Sequence, residues 1–109
     1  NNDVRGLQAL LDSGVSINQT ASNGDSVLMT AVRRNATSSV RYLLSAGANP
    51  NDSSGGFTAL HYAAYLRNAA MAKALLDAGA NPSATDNNGI TARMVAERNG
   101  GSPALISLL

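Results

Sequence analysis

The sequence predicts an all-α fold, a solenoid of stacked helix-turn-helix units with projecting β-turn fingers. Three spacings carry that prediction. The doublet Leu-Leu occurs at 10–11, 43–44, 75–76 and 108–109, at intervals of 33, 32 and 33. Gly14, Gly47 and Gly79 each stand three residues after a doublet. Gly24, Gly56 and Gly89 each stand 19 residues before the next doublet. Independent markers with one period of this length signal a repeat array. One helix pair cannot bury its apolar side alone, whereas stacked pairs bury theirs against each other.

Each element follows from its residues. Ser26, Thr58 and Thr91 come two residues after the second glycine and suit an N-cap, where a hydroxyl satisfies free backbone amides. A first helix is expected at about 27–34, 59–66 and 92–99, with Ala31, Ala63 and Ala96 small enough for close helix contact. A short turn follows at Asn35, Arg67-Asn68 and Gly100-Gly101. A second helix is expected at about 37–46, 69–78 and 102–109. Val40, Leu43 and Leu44, and again Ala72, Leu75 and Leu76, form an i, i+3, i+4 apolar stripe. Ser102-Pro103 reads as an N-cap with proline at the first helical position. Gly47 and Gly79 end their helices as residues that tolerate positive φ. The segments 14–24, 47–56 and 79–89 are rich in Gly, Asn, Pro, Ser and Asp and read as turns. The middle one is a residue shorter, so the single deletion lies in a connection, where it is best tolerated.

Composition narrows the function. Of 109 residues, 44% are apolar but only 4% aromatic, which suits small helices packed closely and not an aromatic sandwich core. The net charge of +1 argues against a general nucleic-acid binder. With no cysteine there are no disulfides, thiolate chemistry or cysteine-zinc sites. No apolar run approaches the roughly 20 residues that span a bilayer. The opening Asn1-Asn2 reads as a trimmed product, so a lost targeting segment stays open. A cytoplasmic location is favoured, with a periplasmic or secreted one left open.

Residues 56–64, GFTALHYAA, followed by LLDAGANPSATDNNG, resemble the ankyrin repeat. The family pattern is a Gly-x-Thr-Pro-Leu-His-x-Ala opening, a Leu-Leu pair and a Gly-Ala-Asp/Asn turn. Residues 55–87 match nearly throughout, with Ala59 at the usual proline. Residues 23–54 match with Ser26, Val27 and Met29 in place of Thr, Pro and His. Residues 88–109 match through Gly89, Thr91, Ala92, Met94 and Ala96, and read as a C-terminal capping repeat because Arg93 replaces a normally buried leucine. Residues 3–22 match only the second half of a repeat, DVRGLQALLDSGVSIN, so 1–22 reads as a partial N-terminal repeat. The expectation is therefore one repeat domain over 1–109, with the helix upstream of its first unit missing from this fragment, disordered or replaced by something else. Restoring native upstream residues is expected to raise the melting temperature.

The candidate chemistry is thin. His61 is the sole histidine, with no cysteine and no carboxylate cluster to complete a metal site or a triad. The resemblance implies a structural role, in which this imidazole bonds the neighbouring Thr58 and nearby backbone and braces the turn into the helix. The glycines do not form a phosphate loop, since Gly55-Gly56 is followed by Phe57-Thr58. Asp86-Asn87-Asn88-Gly89 lacks the glutamate of a calcium loop and reads as a turn. No catalytic residue, metal or cofactor is expected.

The resemblance implies partner binding through the turn tips and the inner, first-helix face. Carried over, the tips are Asn23 and Asp25, Gly55 and Phe57, Asn88 and Ile90. The inner positions are Thr30, Arg33 and Arg34; Tyr62, Tyr65 and Leu66; Val95, Arg98 and Asn99. Phe57, Tyr65, Leu66 and Ile90 are expected to form an apolar centre. Arg33, Arg34, Arg67 and Arg98 are expected to form a stripe along the stack that meets an acidic segment of a partner, because guanidinium groups recognise carboxylates well. For Tyr62 and Leu66, packing between repeats is an equal alternative. The expected function is non-catalytic protein binding by a monomer through its concave face. One alternative is a small regulator or inhibitor of an enzyme. Another, ranked lower, is nucleic-acid or small-ligand binding along the arginines.

Overall fold

Hydroxyl and amide caps set where the helices begin. The computed structural model describes residues 26–54 and 56–109. Among them are α1 (Val27–Arg33), α2 (Thr37–Ser45), β1 (Ser53–Ser54), β2 (Phe57–Thr58), α3 (Ala59–Tyr65), α4 (Ala69–Asp77), α5 (Ala92–Arg98) and α6 (Pro103–Leu108). Ser26, Thr58 and Thr91 start the first helices by accepting the amides of Met29, His61 and Met94 at 3.2, 3.2 and 3.3 Å. Ser102 caps α6 in the same way through Leu105, with Pro103 in the first turn. The partial repeat expected over 1–22 lies outside the described residues.

Helix ends follow one pattern. The amides of Asn35 and Ala36 turn back to the carbonyls of Val32 and Ala31. Gly47 and Ala48, Arg67 and Asn68, and Gly79 and Ala80 repeat that pair of bonds. This is the Schellman ending, whose first outer residue needs a left-handed backbone. Gly47 and Gly79 take it at φ 103° and 104°, one position beyond the helix cap itself.

The helices form two layers. Along one layer α1 packs on α3 and α3 on α5; along the other α2 packs on α4 and α4 on α6. Alanines 31, 63 and 96 recur where the first helices approach one another, and all three are buried. Leu28 and Leu60, with Leu43 and Leu75 from the second helices, complete a continuous core. Each such leucine contributes roughly 2–3 kcal/mol by leaving water.

The third unit departs from the sequence register. Three residues separate α1 from α2 and α3 from α4, but four separate α5 from α6. The extra residue falls at Gly101, whose amide closes the helix end on Ala96 and leaves the cap to Ser102. Leu109, not Leu108, therefore takes the place of Leu43 and Leu75. Leu109 is half-buried against the core and Leu108 is 37% exposed.

The fingers locate the missing residue more closely. In the short finger Ser53 pairs with Thr58 and Ser54 with Phe57 in an antiparallel hairpin. In the longer one a lone bridge joins Thr85 and Thr91 around residues 86–90. The deletion thus sits in the tip of the finger. Gly56, at φ 87°, also lies against the next finger, where a Cβ would come within 2.7 Å of the Asn87 side chain.

Candidate protein-binding face

The base of this face is a hydrogen-bonded frame. His61 is fully buried beneath the finger. Its Nδ1 accepts the Thr58 amide at 3.3 Å and lies 2.7 Å from the Thr58 hydroxyl. That assigns the ring proton to Nε2, which donates to the Ile90 carbonyl of the next repeat at 2.6 Å. The two bonds at Thr58 close a capping box. Asp86 then holds the second finger, its carboxylate accepting the amides of Asn88 and Ile90 at 2.8 and 2.9 Å. The Ile90 amide holds this carboxyl below its ordinary range against the opposing effect of burial. The Asn88 amide and the positive charge of Arg98 lower it further.

Asparagines fasten neighbouring repeats elsewhere. Asn68 caps α4 through Met71 and its amide reaches Asn35 Oδ1 and Thr37 Oγ1 in the preceding repeat, at 2.8 and 2.7 Å. Asn51 accepts the Asn81 amide at 2.8 Å and donates to the Gly79 carbonyl. Asn99 donates to the carbonyl of Tyr65. Sequence reading placed Asn35 and Asn68 in turns and Asn99 on the inner face but missed these links. Their signal was there in part, since Asn49-x-Asn51 and Asn81-x-Ser83 recur 32 residues apart and both fold as side-chain-to-backbone turns.

On this frame, the expected site residues divide. Phe57 is half-buried, stacked on His61 with ring centres 5.0 Å apart and edge-on to Tyr62 at 5.2 Å. Tyr62 and Ile90 are half-buried and pack on the core, and Leu66 is half-buried. Tyr65 stands apart at 58% exposed. The four named apolar residues are therefore not one exposed cluster, because the finger folds Phe57 back over the histidine. Asp25, Asn23 and residue 55 lie outside the described residues.

The arginines also divide. Arg33, Tyr65 and Arg98 are the last residues of α1, α3 and α5. Arg34, Leu66 and Asn99 are the caps that follow. Arg67 comes one step later, aligned with Asn35 and Gly100, and all three have positive φ. The straight arginine stripe is thus a row of Arg33, Tyr65 and Arg98, with Arg34 and Arg67 beside it. All four arginines are exposed.

A family model described as ankyrin repeats (3 copies) matches residues 1–86. The chain belongs to the ankyrin-repeat family. No curated protein matches it. Ankyrin repeats are generally protein–protein interaction modules, and ankyrin domains are typically non-catalytic. Among the described residues, no three His, Asp or Glu side chains gather as metal ligands, and no helix is long and apolar enough to cross a membrane. The Arg93 position of this ankyrin chain is exposed and pairs with Glu97 at 3.9 Å, and Met94 is 41% exposed. In the two preceding repeats the corresponding Leu28 and Leu60, and Met29 and His61, are buried.

Proposed function

We propose that this ankyrin chain is a non-catalytic protein-binding module that receives a partner on its first-helix face, the concave side of such a stack, and at its finger tips. The observation that carries the reading is Tyr65, a large side chain 58% exposed between two arginines at the same helix position. Tyrosine and arginine are the residue types that dominate interface energetics when desolvated. Half-buried Tyr62, Leu66 and Ile90 supply apolar surface beside it, and Arg34 and Arg67 supply charge. The asparagine and histidine links between repeats support a preformed surface, which loses little conformational entropy on docking.

In this reading the chain is one domain with units at 1–22, 23–54, 55–87 and 88–109. The last unit is its cap, because Arg93 and Glu97 suit a water-facing end. His61, Thr58, Gly47 and Gly79 serve the scaffold.

The test is affinity capture from native lysate with mass spectrometry, comparing the chain with its Tyr65→Ala variant. Phe57→Ala is a poor companion, since Phe57 rests on His61 and its loss disturbs the frame. A partner retained by the chain and lost by a folded Tyr65→Ala variant is the expected outcome. Equal retention by both proteins would reject this face.

A further inference from the structure

Asn-Gly steps occur at Asn23-Gly24, Asn88-Gly89 and Asn99-Gly100. At such a step the backbone nitrogen reaches the asparagine Cγ with least hindrance, because glycine has no Cβ and moves freely. The first step lies outside the described residues. The other two differ in which partner of the reaction is held. At the finger tip the Gly89 amide donates to the Asp86 carbonyl at 3.1 Å, and the Asn88 amide donates to the Asp86 carboxylate at 2.8 Å. The attacking nitrogen is therefore engaged, and the carboxylate beside it opposes loss of its proton.

At the end of α5 the nitrogen is open and the side chain is held. Asn35 and Arg67, at the equivalent place in the preceding repeats, donate their amides to Val32 and Ala64. The Gly100 amide has no hydrogen-bond partner among the described residues, and only the Gly101 bond to Ala96 closes this turn. Gly100 is exposed, at φ 71°. The Asn99 side chain donates across the repeats to the Tyr65 carbonyl.

We propose that Asn99 is a site of spontaneous deamidation, gated by its bond to the Tyr65 carbonyl. Once the side chain leaves that carbonyl, the Gly100 nitrogen gives its proton to a base in solution and attacks Asn99 Cγ. The new C–N bond closes a succinimide ring and ammonia leaves. Water then adds to either carbonyl of the ring and opens it, giving aspartate or isoaspartate. Neither product can restore the link. A carboxylate has no proton for the Tyr65 carbonyl, and it stands at the C-terminal ends of both α3 and α5, where the backbone dipoles disfavour negative charge. Isoaspartate also adds a methylene to the backbone at the helix cap. Opening of this seam thus becomes irreversible and leaves an anion beside Arg98 and the exposed Tyr65. The inference stands whether or not this face receives a partner.

The test holds the whole chain folded at body temperature and mildly alkaline pH. Timed samples are cut with trypsin and read by mass spectrometry against a sample cut at once. Cleavage after Arg93 and Arg98 puts Asn88 and Asn99 in different peptides, and Asn99 is the only side-chain amide in its own. Conversion of amide to acid should accumulate severalfold faster at Asn99 than at Asn88. In guanidinium the Asn99 rate should rise and the two rates should converge, since a gated reaction runs in proportion to the open fraction. Gly100→Ala should slow conversion at Asn99 severalfold and leave Asn88 unchanged. Its Cβ would meet open space, and Asn35 and Arg67 hold the same backbone without glycine, so the variant keeps the turn. Asn99→Asp, which makes the product directly, should lower the urea midpoint. Equal rates in the folded chain, faster conversion at Asn88, or an Asn99 rate unmoved by guanidinium or by Gly100→Ala overturns the gated site. An unshifted midpoint for Asn99→Asp overturns the one-way loss of the seam.

Discussion

The Nε2 of His61 donates a 2.6 Å hydrogen bond to the carbonyl oxygen of Ile90, on the finger of the next repeat. One imidazole thereby joins a local task to a non-local one. Nδ1 and the Thr58 hydroxyl fix the start of α3, and Nε2 fixes the position of the following unit. Phe57 stacks over the ring and helps to keep water from it.

The first prediction concerns this bond. Met29 and Met94 occupy the corresponding positions in the flanking units, so His61→Met is the natural substitution. It leaves the Thr58 amide without its acceptor and removes one of two donors from the Ile90 carbonyl. Destabilisation of about 2 kcal/mol is expected, the scale for stranding buried polar groups. Urea titration measures it. A double-mutant cycle with Thr58→Ala should reveal coupling between the two residues. A fully additive cycle would mean that the pair does not act as a unit.

The second prediction concerns acid. The Ile90 amide chiefly holds the Asp86 carboxyl below its ordinary value, so the folded chain binds this proton less readily than the unfolded chain. Stability from Asp86 is therefore present above about pH 4 and is lost as pH falls through the folded value. Asp86→Asn keeps an oxygen acceptor for the same two amides but cannot titrate. The stability difference between the two proteins should shrink as pH falls from about 5 to about 3. Parallel curves across that range would exclude this linkage.

Much of the fold is legible in the sequence because its signals are local and repeat. Ser26, Thr58, Thr91 and Ser102 each mark a helix start through a contact only three residues long. The family could be read from the same stretch. The register of α6 was less legible, because an extra glycine in a turn leaves no trace in the Leu-Leu spacing. The site was less legible still. Phe57 and Tyr65 look alike in a pattern of turn tips and inner helix positions. Only the folded finger separates them, turning Phe57 over His61 and leaving Tyr65 in water. The asparagine links escaped for the same reason, since Asn68 and Asn35 meet across repeats and 33 residues.

A third prediction uses the one second helix among the described residues without a side-chain cap. Ala36 precedes α2 with φ −92° and ψ 79° and caps nothing. Asn68 holds the same place before α4 with φ −102° and ψ 91°, and its Oδ1 accepts the Met71 amide at 3.0 Å. The backbone at Ala36 is therefore already shaped for asparagine. Ala36→Asn should accept the Ser39 amide and stabilise the chain by about 1 kcal/mol. A higher urea midpoint with unchanged slope is the expected result. An unchanged or lower midpoint would show that the cap does not form at this place.

The last prediction joins stability to binding. Arg67 adopts a left-handed backbone, φ 57°, where the repeat at 88–109 has Gly100 and the one at 23–54 has Asn35. For a residue with a Cβ and no local side-chain bond, that conformation costs roughly 1 kcal/mol. Arg67→Gly removes the strain, although glycine adds freedom to the unfolded chain. A net gain of about 0.5 kcal/mol is expected, measured by chemical denaturation. An arginine held at such a site suggests a use, and the exposed side chain stands beside the row of Arg33, Tyr65 and Arg98. The same variant should therefore retain less partner in affinity capture although it is the more stable protein. A gain in stability with full capture would assign Arg67 to the scaffold alone. A loss of both would show that the arginine side chain holds the turn in place.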